Sequence, residues 1–179
     1  MHLNKYYFIN KFNPDHIKKL DKNVSIIYRN YHSLIDINLL VKIRGFCKNN
    51  SRKFFLANNI KLALKLDLDG AYLPSFNKDL KHLNYIYKKK FLIIGSAHNL
   101  KEIRFKERQK VKLIFLSSLF KKNKNYLGLY KFNILSSITE EKIVALGGIN
   151  LANVKKLKML NLSGFAGIGF FEKKRPLKM

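Results

Sequence analysis

The residues best suited to chemistry are two glycines near the carboxyl end of the chain, where a ligand could approach the backbone. Gly147 and Gly148 follow an apolar run, and Asn150 precedes a stretch with the apolar spacing of a helix, Leu151–Leu160. Glycine leaves room for a phosphate beside the backbone, and Asn150 is a favourable N-cap. A helix behind it would turn free N–H groups and the positive end of its dipole towards the loop. This spacing predicts an anion site.

A second pair of glycines belongs to the next apolar run. Gly167 and Gly169 close the segment Gly164–Gly169. In parallel barrels the loops after the seventh and eighth strands often build one phosphate site together, so this pair lies where the first pair needs a partner. We therefore predict that the four glycines bind a phosphorylated ligand, although a tight turn would also explain Gly147 and Gly148. The glycines indicate a ligand but no reaction.

Eight short apolar runs are the elements that must position these glycines. Continuous runs of this kind, alternating with stretches of helical spacing, are typical of buried parallel strands in βαβ units. With 179 residues the chain offers about 22 residues for each unit, which predicts one (β/α)₈ TIM barrel over residues 1–179. The predicted strands are Tyr6–Ile9, Val24–Tyr28, Phe54–Ala57, Gly70–Leu73, Phe91–Gly95, Val111–Leu116, Ile143–Gly147 and Gly164–Gly169.

The stretches between these runs predict the helices of the barrel. The tail from Phe171 to Met179 is too short for a long closing helix, so we expect a truncated final helix. An open doubly wound sheet is the alternative, but it needs fewer strands or an antiparallel edge. The predicted helices are Pro14–Leu20, Ile35–Cys47, Ile60–Leu66, Lys78–Tyr87, Leu100–Lys106 and Leu151–Leu160.

The net charge of the chain bears on its partners. The 36 Lys and Arg residues against 11 Asp and Glu give a formal charge of +25, which would attract nucleic acid. However, the lysines are spread along the whole chain, and no zinc-finger or RNP-like motif is present. We therefore expect solvated helices to carry most of the charge and nucleic acid not to be the partner. Cys47 is the only cysteine, which fits a reducing cytoplasm, and no apolar run is long enough for a membrane helix.

Several motifs in register give the chain a likeness to a known family. Val144–Ile149 resembles the "AIGGI" strand and turn of the thiamine-phosphate synthases and of their paralogue, the thiazole tautomerase. Ile94–Glu102 is similar to their "GxSxHxxxE" segment. Asn59–Leu64, Asp69–Ala71 and Leu73–Ser75 resemble their "NDRxDLA…DGVHLGQ" stretch, the last of them nearest to the tautomerase branch. The resemblance extends over nearly the whole chain.

The resemblance implies a reaction and the residues that serve it. The synthases join hydroxymethylpyrimidine pyrophosphate to a thiazole phosphate and release pyrophosphate with magnesium, so the implied partners are small phosphorylated substrates. Such a dissociative reaction needs charge neutralisation on the leaving group more than a strong base. By resemblance, Arg29 and Ser96 serve the pyrophosphate, and Gly148 binds the thiazole phosphate. Lys122 and Lys124 would screen the pyrophosphate in place of metal, unless they are simply solvated loop lysines.

The chain also departs from the family pattern, most of all at the metal. The two magnesium-binding aspartates of the family fall on Asn58 and Asn77, and an amide lacks the charge that a hard dication prefers. The Gln and Lys of the family's "QxRxK" motif are replaced by Ile27 and Tyr31. We therefore expect the free protein to bind no Mg²⁺, and any ion to arrive with the substrate's pyrophosphate.

Two other functions stay open on the sequence alone. A tautomerase-like activity is one, but Ser118 stands where the tautomerase has its working histidine. A non-catalytic protein that binds a phosphorylated ligand through the glycines is the other. The sequence leaves open whether the chain is catalytically active and whether it forms a homo-oligomer.

Overall fold

Eight parallel strands close into one barrel in the computed structural model, which describes residues 3–31 and 34–172. Each strand pairs with its neighbours in chain order, and β1 also pairs with β8. The predicted TIM barrel is therefore confirmed, and an open sheet is excluded. The strands are β1 Asn4–Ile9, β2 Val24–Tyr28, β3 Phe54–Ala57, β4 Gly70–Leu73, β5 Leu92–Ala97, β6 Leu113–Leu116, β7 Lys142–Leu146 and β8 Gly164–Gly167.

Helices and short 3-10 segments connect the strands on the outside of the barrel. In the described part of the chain, no helix is both long and apolar enough to span a membrane. Of the final helix the structure describes only Gly169–Glu172; residues 173–179, on which the prediction of a truncated final helix depends, lie outside the described residues. The helices are α1 Pro14–Lys18, α2 Ile37–Asn49, α3 Ile60–Lys65, α4 Leu100–Arg108, α5 Gly128–Ser137 and α6 Gly169–Glu172, and the 3-10 segments are Lys81–Asn84 and Val154–Met159.

Side-chain caps fix where the first four helices begin. Asn13, Asp36, Asn59 and Asn99 each accept a hydrogen bond from the backbone N–H three residues later. Such caps satisfy N–H groups that the first turn of a helix leaves free. The loops that follow β1, β2, β3 and β5 therefore end at defined residues.

The helix predicted over Lys78–Tyr87 is wrong, because only the 3-10 segment Lys81–Asn84 forms there. The side chain of Asn77 accepts from the N–H of Asp79, and that of Asp79 accepts from the N–H of Lys81. Turns of this kind compete with helix formation. This segment follows β4 and becomes part of the candidate site.

Helix α5 is an element that the sequence patterns did not indicate. Its residues include Asn, Ser and Tyr, which are weak helix formers, and only Phe132 and Leu135 are buried in it. Packing of those two side chains on the barrel therefore stabilises a helix that the intrinsic helix propensities of its residues would not stabilise alone.

Aromatic rings fill the interior of the barrel and support the carboxyl ends of its strands. Phe115 is fully buried, and its ring centroid lies 5.0 Å from Tyr6, 6.0 Å from Phe8 and 5.6 Å from Tyr72, each in an edge-to-face arrangement. Edge-to-face contacts are favourable beyond the area they bury. The ring of Phe8 also carries the guanidinium of Arg29, whose Cζ lies 4.7 Å from the ring centroid. Interior packing therefore supports a candidate site residue directly.

We expect Phe115→Ala to lower the free energy of unfolding by about 3–5 kcal/mol, because it removes a buried ring and leaves a cavity. Tyr130→Ala is the control, since Tyr130 is 83% exposed, and we expect it to change stability by less than about 0.5 kcal/mol. Urea denaturation of both variants measures the difference. Equal stability of the two variants would contradict this account of the barrel interior.

Candidate functional site

A cavity of about 590 Å³ lies at the carboxyl ends of β1 and β2, beside the loop after β8. Its lining includes the polar side chains of Lys11, His16, Arg29, Tyr31 and Glu172. In parallel barrels this end carries the functional groups, because the βα loops converge there. The cavity is therefore the natural place to look for a small-molecule site.

Arg29 enters this cavity directly from the end of β2. Its backbone N–H donates to the carbonyl of Ile9 at 2.8 Å, which ties the residue to the end of β1. The charge of its guanidinium acts on the phenols of Tyr31 and Tyr72. Burial raises the pKa of Tyr31, the nearby Tyr72 raises it further, and the charge of Arg29 opposes both effects. Arg29 therefore supplies positive charge to this part of the site.

Ser96 is not part of the cavity lining but contacts Tyr72. It is only 4% exposed at the end of β5, and its side chain shares a hydrogen bond with Tyr72. Burial raises the pKa of Tyr72, while the hydrogen bond to Ser96 and the charge of Arg29 lower it. Two residues that the family resemblance assigns to pyrophosphate, Arg29 and Ser96, are thus brought together around one buried phenol.

Asn58 and Asn77, where the family has its magnesium-binding aspartates, also meet in space. Asn58 follows β3 with a φ of 61°, a left-handed conformation that asparagine tolerates better than most residues. The side-chain amide of Asn77 donates to Oδ1 of Asn58 at 2.8 Å. The resemblance placed these two positions together, and the structure shows them hydrogen-bonded to each other.

A buried lysine lies behind this amide pair. Lys106, on α4, is fully buried, and its Nζ donates to the carbonyl of Pro74 at 2.8 Å, to the carbonyl of Asn77 at 3.2 Å and to Oε1 of Gln109 at 2.8 Å. Burial and, to a smaller extent, the charge of nearby Lys78 lower the pKa of Lys106 to about 8, against the opposing effect of Glu102. At neutral pH an ammonium group therefore stands beneath the segment that carries Asn77.

This arrangement does not fit a magnesium ion. Oδ1 of Asn58 already accepts from Asn77, and Oδ1 of Asn77 accepts from Nε2 of Gln109 and the N–H of Asp79, both at 3.0 Å. Both amides are neutral, and the buried ammonium of Lys106 binds the backbone carbonyl of Asn77. Mg²⁺ prefers carboxylate oxygens that are free to ligate. Within residues 3–31 and 34–172, no three His, Cys, Asp or Glu side chains form a cluster able to hold a metal.

Gly147 and Gly148 adopt the conformation that glycine allows, with φ of 102° and 75°. A Cβ on Gly147 would lie 2.4 Å from Oγ of Ser118, and one on Gly148 would lie 2.5 Å from the backbone nitrogen of Lys121. The N–H of Phe120 also donates to the carbonyl of Gly147 at 2.8 Å. The tight turn weighed against phosphate binding is therefore present, and close packing against the loop after β6 requires both glycines.

The helix predicted behind this turn is wrong. Residues 151–153 form a turn and Val154–Met159 is a 3-10 segment, because Oδ1 of Asn150 accepts from the N–H groups of Ala152 and Asn153 at 2.9 and 3.1 Å. Asn150 thus caps a turn, and no helix dipole points at the glycines from this segment. A phosphate at Gly147 and Gly148 would depend on backbone N–H groups without that help.

Gly167 and Gly169 lie at the same end of the barrel. Gly167 ends β8, whereas Gly169 begins α6 and so lies outside the strand that the sequence predicted for it. A Cβ on Gly169 would meet no atom within 4 Å, so neither packing nor a positive φ demands glycine there. This open space beside Ile168, which lines the cavity, is compatible with a ligand close to the backbone.

Lys122 and Lys124 are exposed on the loop between β6 and α5. The loop closes on itself, since the N–H of Ser118 donates to the carbonyl of Asn125 and the N–H of Leu127 donates to the carbonyl of Ser118, both at 2.9 Å. Its contacts with Gly147 hold it at the carboxyl end of the barrel. The two lysines do not line the cavity at Arg29.

Tyr72, Lys106 and Gln109 are site residues that sequence reasoning missed. Lys106 follows the buried Ile103 by three positions, so helical periodicity would have placed it on the inner face of α4. Lysine is so seldom fully buried that its residue type predicts a solvated position there in spite of the spacing. Tyr72 stands in a wholly buried strand and carried no such signal.

Several proteins similar to this chain in sequence are thiamine-phosphate synthases. The family model described as thiamine monophosphate synthase matches residues 24–170. A thiamine-phosphate synthase of Methanococcus vannielii is 30% identical over 70% of this chain and 62% of its own length. One of Pelagibacter ubique is 29% identical over 98% of this chain and 89% of its own length.

The chain thus spans less than two thirds of the first of these relatives. Among solved structures, a thiamine phosphate pyrophosphorylase of Pyrococcus furiosus superposes with a TM-score of 0.75 at 19% identity, over 93% of this chain and 86% of that one. At that identity the superposition shows a shared fold.

We expect Gly148→Ala to lower the free energy of unfolding by at least about 1–2 kcal/mol, because alanine disfavours a positive φ and its Cβ would collide with the backbone at Lys121. Gly45→Ala is the matched control: Gly45 lies within α2, and a Cβ there meets no atom within 4 Å. Helix propensity favours alanine there by about 1 kcal/mol. Thermal unfolding compares the two variants, and equal effects would refute the packing assigned to Gly148.

We also expect the free wild-type protein to show no Mg²⁺ binding in calorimetry, because its two amide oxygens are neutral and already accept hydrogen bonds. The double variant Asn58→Asp, Asn77→Asp restores two carboxylates on neighbouring strand ends and should bind Mg²⁺ measurably. Ser136→Asp plus Asn133→Asp on α5 is the control, since it adds the same charge away from the site. Tight binding to the wild type would show that other residues hold the metal.

Proposed function

Because this chain belongs to the thiamine monophosphate synthase family, we propose that it joins hydroxymethylpyrimidine pyrophosphate to a thiazole phosphate. The products are thiamine phosphate and pyrophosphate. The observation that carries the proposal is the grouping of Arg29 and Ser96 around Tyr72 at the carboxyl end of the barrel. These two residues are the ones that the family resemblance assigns to the pyrophosphate.

Charge neutralisation is the main task of the site in this reaction. The bond between the pyrimidine methylene carbon and the pyrophosphate oxygen breaks, and the thiazole nitrogen donates its electron pair to that carbon. Negative charge therefore grows on the leaving pyrophosphate, where Arg29 would pair with it and the hydroxyl of Ser96 would donate a hydrogen bond. No strong base is required.

Lys122 and Lys124 would add charge to the leaving group from the loop after β6. The loop is tied to Gly147 through the N–H of Phe120, so the lysines are carried near the place assigned to phosphate. As flexible point charges they would screen pyrophosphate without fixing its orientation. We assign them a smaller share of the effect than Arg29.

The thiazole phosphate would bind between the ends of β7 and β8. The backbone around Gly147 and Gly148 and the open space around Gly167 and Gly169 support this placement, since loops after the last two strands are a frequent phosphate site in such barrels. The family reaction uses magnesium; here an ion would arrive only with the pyrophosphate of the substrate and would not be essential, because Arg29 and the loop lysines would neutralise the same charge. We place this chemistry in the cytoplasm.

Incubation with both substrates should yield thiamine phosphate, measured by chromatography and mass spectrometry. Arg29→Met should lower kcat/KM by about 10²-fold, in the range found when one stabilising donor is removed from a transition state. Arg44→Met is the matched control, because Arg44 pairs with Asp67 outside this site. The double variant Lys122→Met, Lys124→Met should lower kcat/KM less than Arg29→Met does.

Absence of product from the wild type, with or without Mg²⁺, would contradict the proposal. If the protein then still bound thiazole phosphate, it would be a non-catalytic binder of phosphorylated ligands. An effect of Arg44→Met equal to that of Arg29→Met would remove the evidence for a specific role of Arg29.

A further inference from the structure

A continuous chain of polar contacts runs from the interior of the protein to the candidate site. It begins at the ammonium of Lys106, which is fully buried and donates to the carbonyls of Pro74 and Asn77 and to Oε1 of Gln109. All three donor positions of the ammonium group are thereby used. The two carbonyls lie on the segment after β4, so one side chain of α4 anchors that segment from beneath.

Gln109 completes the anchor. It is fully buried, and its Nε2 donates to the carbonyl of Asp79 at 2.8 Å, to Oδ1 of Asn77 at 3.0 Å and to the carbonyl of Asn77 at 3.3 Å. Because Oε1 of Gln109 is bound to Lys106, the orientation of its amide group is fixed. Oδ1 of Asn77 is therefore held inward, and Nδ2 of Asn77 is turned towards Asn58.

The barrel makes room for this anchor at Gly95 on β5. A Cβ there would lie 3.1 Å from Cδ of Lys106 and 2.9 Å from the carbonyl oxygen of Leu73. The stem of Lys106 thus passes over a strand position without a side chain. A buried ammonium is costly unless every donor is satisfied, and here each donor has a partner.

The charge count of the site follows from the same residues. Two aspartates and one Mg²⁺, the arrangement that the family resemblance implies, have a formal charge of zero. Asn58, Asn77 and Lys106 together have a formal charge of +1. These three residues therefore keep one positive charge where two carboxylates are missing, with Lys78, Asp79 and Glu102 as their charged neighbours.

We propose that Lys106 is a positioning residue whose fixed ammonium replaces a bound divalent ion: it locks Asn77 onto Asn58 and so ties the end of β4 to the end of β3. Aspartates at positions 58 and 77 would be the residues that hold a divalent ion, and such an ion would serve the same purpose as the ammonium. The inference deepens the proposed function, on which it rests for the meaning of positions 58 and 77. Its structural content can be tested without turnover.

The first test is hydrogen exchange at the segment that Lys106 anchors, measured at pH 7 on the full chain. The N–H of Asn77 donates to the carbonyl of Pro74, and the N–H of Asp79 donates to Oδ1 of Asn77, so both report on the anchor. Lys106→Met should speed exchange of these amides about tenfold or more. Lys101→Met is the matched control, because Lys101 is exposed on the same helix, and it should leave them unchanged.

The second test is rescue by metal, which a merely structural role of Lys106 would not show. In the triple variant Lys106→Met, Asn58→Asp, Asn77→Asp, Mg²⁺ should bind between the carboxylates and restore slow exchange at Asn77 and Asp79. In Lys106→Met alone, Mg²⁺ should have no effect. Lys106→Gln, which keeps a polar group without the charge, serves in the same scheme should the methionine variant not fold.

Three results would overturn the inference. Unchanged exchange in the Lys106 variants would show that the ammonium anchors nothing. Failure of the triple variant to bind Mg²⁺ would show that positions 58 and 77 are no metal position. Mg²⁺ binding to the triple variant that leaves exchange at Asn77 and Asp79 fast would show that the ion cannot replace the ammonium as the anchor. If the wild type made no thiamine phosphate, only the proposed function would be contradicted, since neither of these two tests measures turnover.

Discussion

Closure of the barrel between β1 and β8 is the constraint on which every feature of the site depends. Residues Asn4 to Tyr7 pair in register with Gly164 to Gly167, and a Cβ on Gly164 would lie only 2.4 Å from the carbonyl oxygen of Asn4. Glycine at that position lets the first and last strands approach. Because all eight strands are parallel, closure brings their carboxyl ends to one face, where residues distant in sequence become neighbours.

Closure brings together two groups of residues, one able to bind a ligand and one whose polar atoms are bound within the protein. Around Tyr72, Arg29 and Ser96 offer a charge and a hydroxyl to an anionic ligand. Beside them, Asn58 and Asn77 are hydrogen-bonded to each other, and the backbone carbonyl of Asn77 accepts from buried Lys106, so both side-chain oxygens are already committed to the protein. The first group is suited to a substrate, and the second to holding the barrel end that presents it. The second group does not fit the family's metal ion, and the first group is where we propose that the pyrophosphate binds.

The strands could be predicted from sequence because their signal is local. A strand buried on both faces is a continuous apolar run, and the observed strand bounds differ from the predicted ones by at most two residues. Helix α5 escaped prediction because packing supports it where propensity does not. The helix expected over Leu151–Leu160 failed because two asparagine side chains, Asn150 and Asn153, compete for the backbone N–H groups.

The site was predicted in part, for a related reason. The family motifs brought Arg29, Ser96, Asn58 and Asn77 to attention, yet no motif contains the contacts that Lys106 makes. A lysine in a chain with a net charge of +25 looks like one more solvated cation, and only the fold shows which ammonium is buried. Arg52 is a second example: its guanidinium is 5% exposed and donates to four backbone carbonyls between α1 and β2.

We propose that synthesis by this member of the family requires no metal ion, because Arg29 and the loop lysines neutralise the leaving pyrophosphate. The most direct measurement is thiamine phosphate formation by the wild type in the presence of an excess of EDTA, with a metal-dependent synthase run in parallel. The account predicts that product continues to form here while the reference enzyme stops. Complete loss of product in EDTA, with full recovery on addition of Mg²⁺, would contradict it.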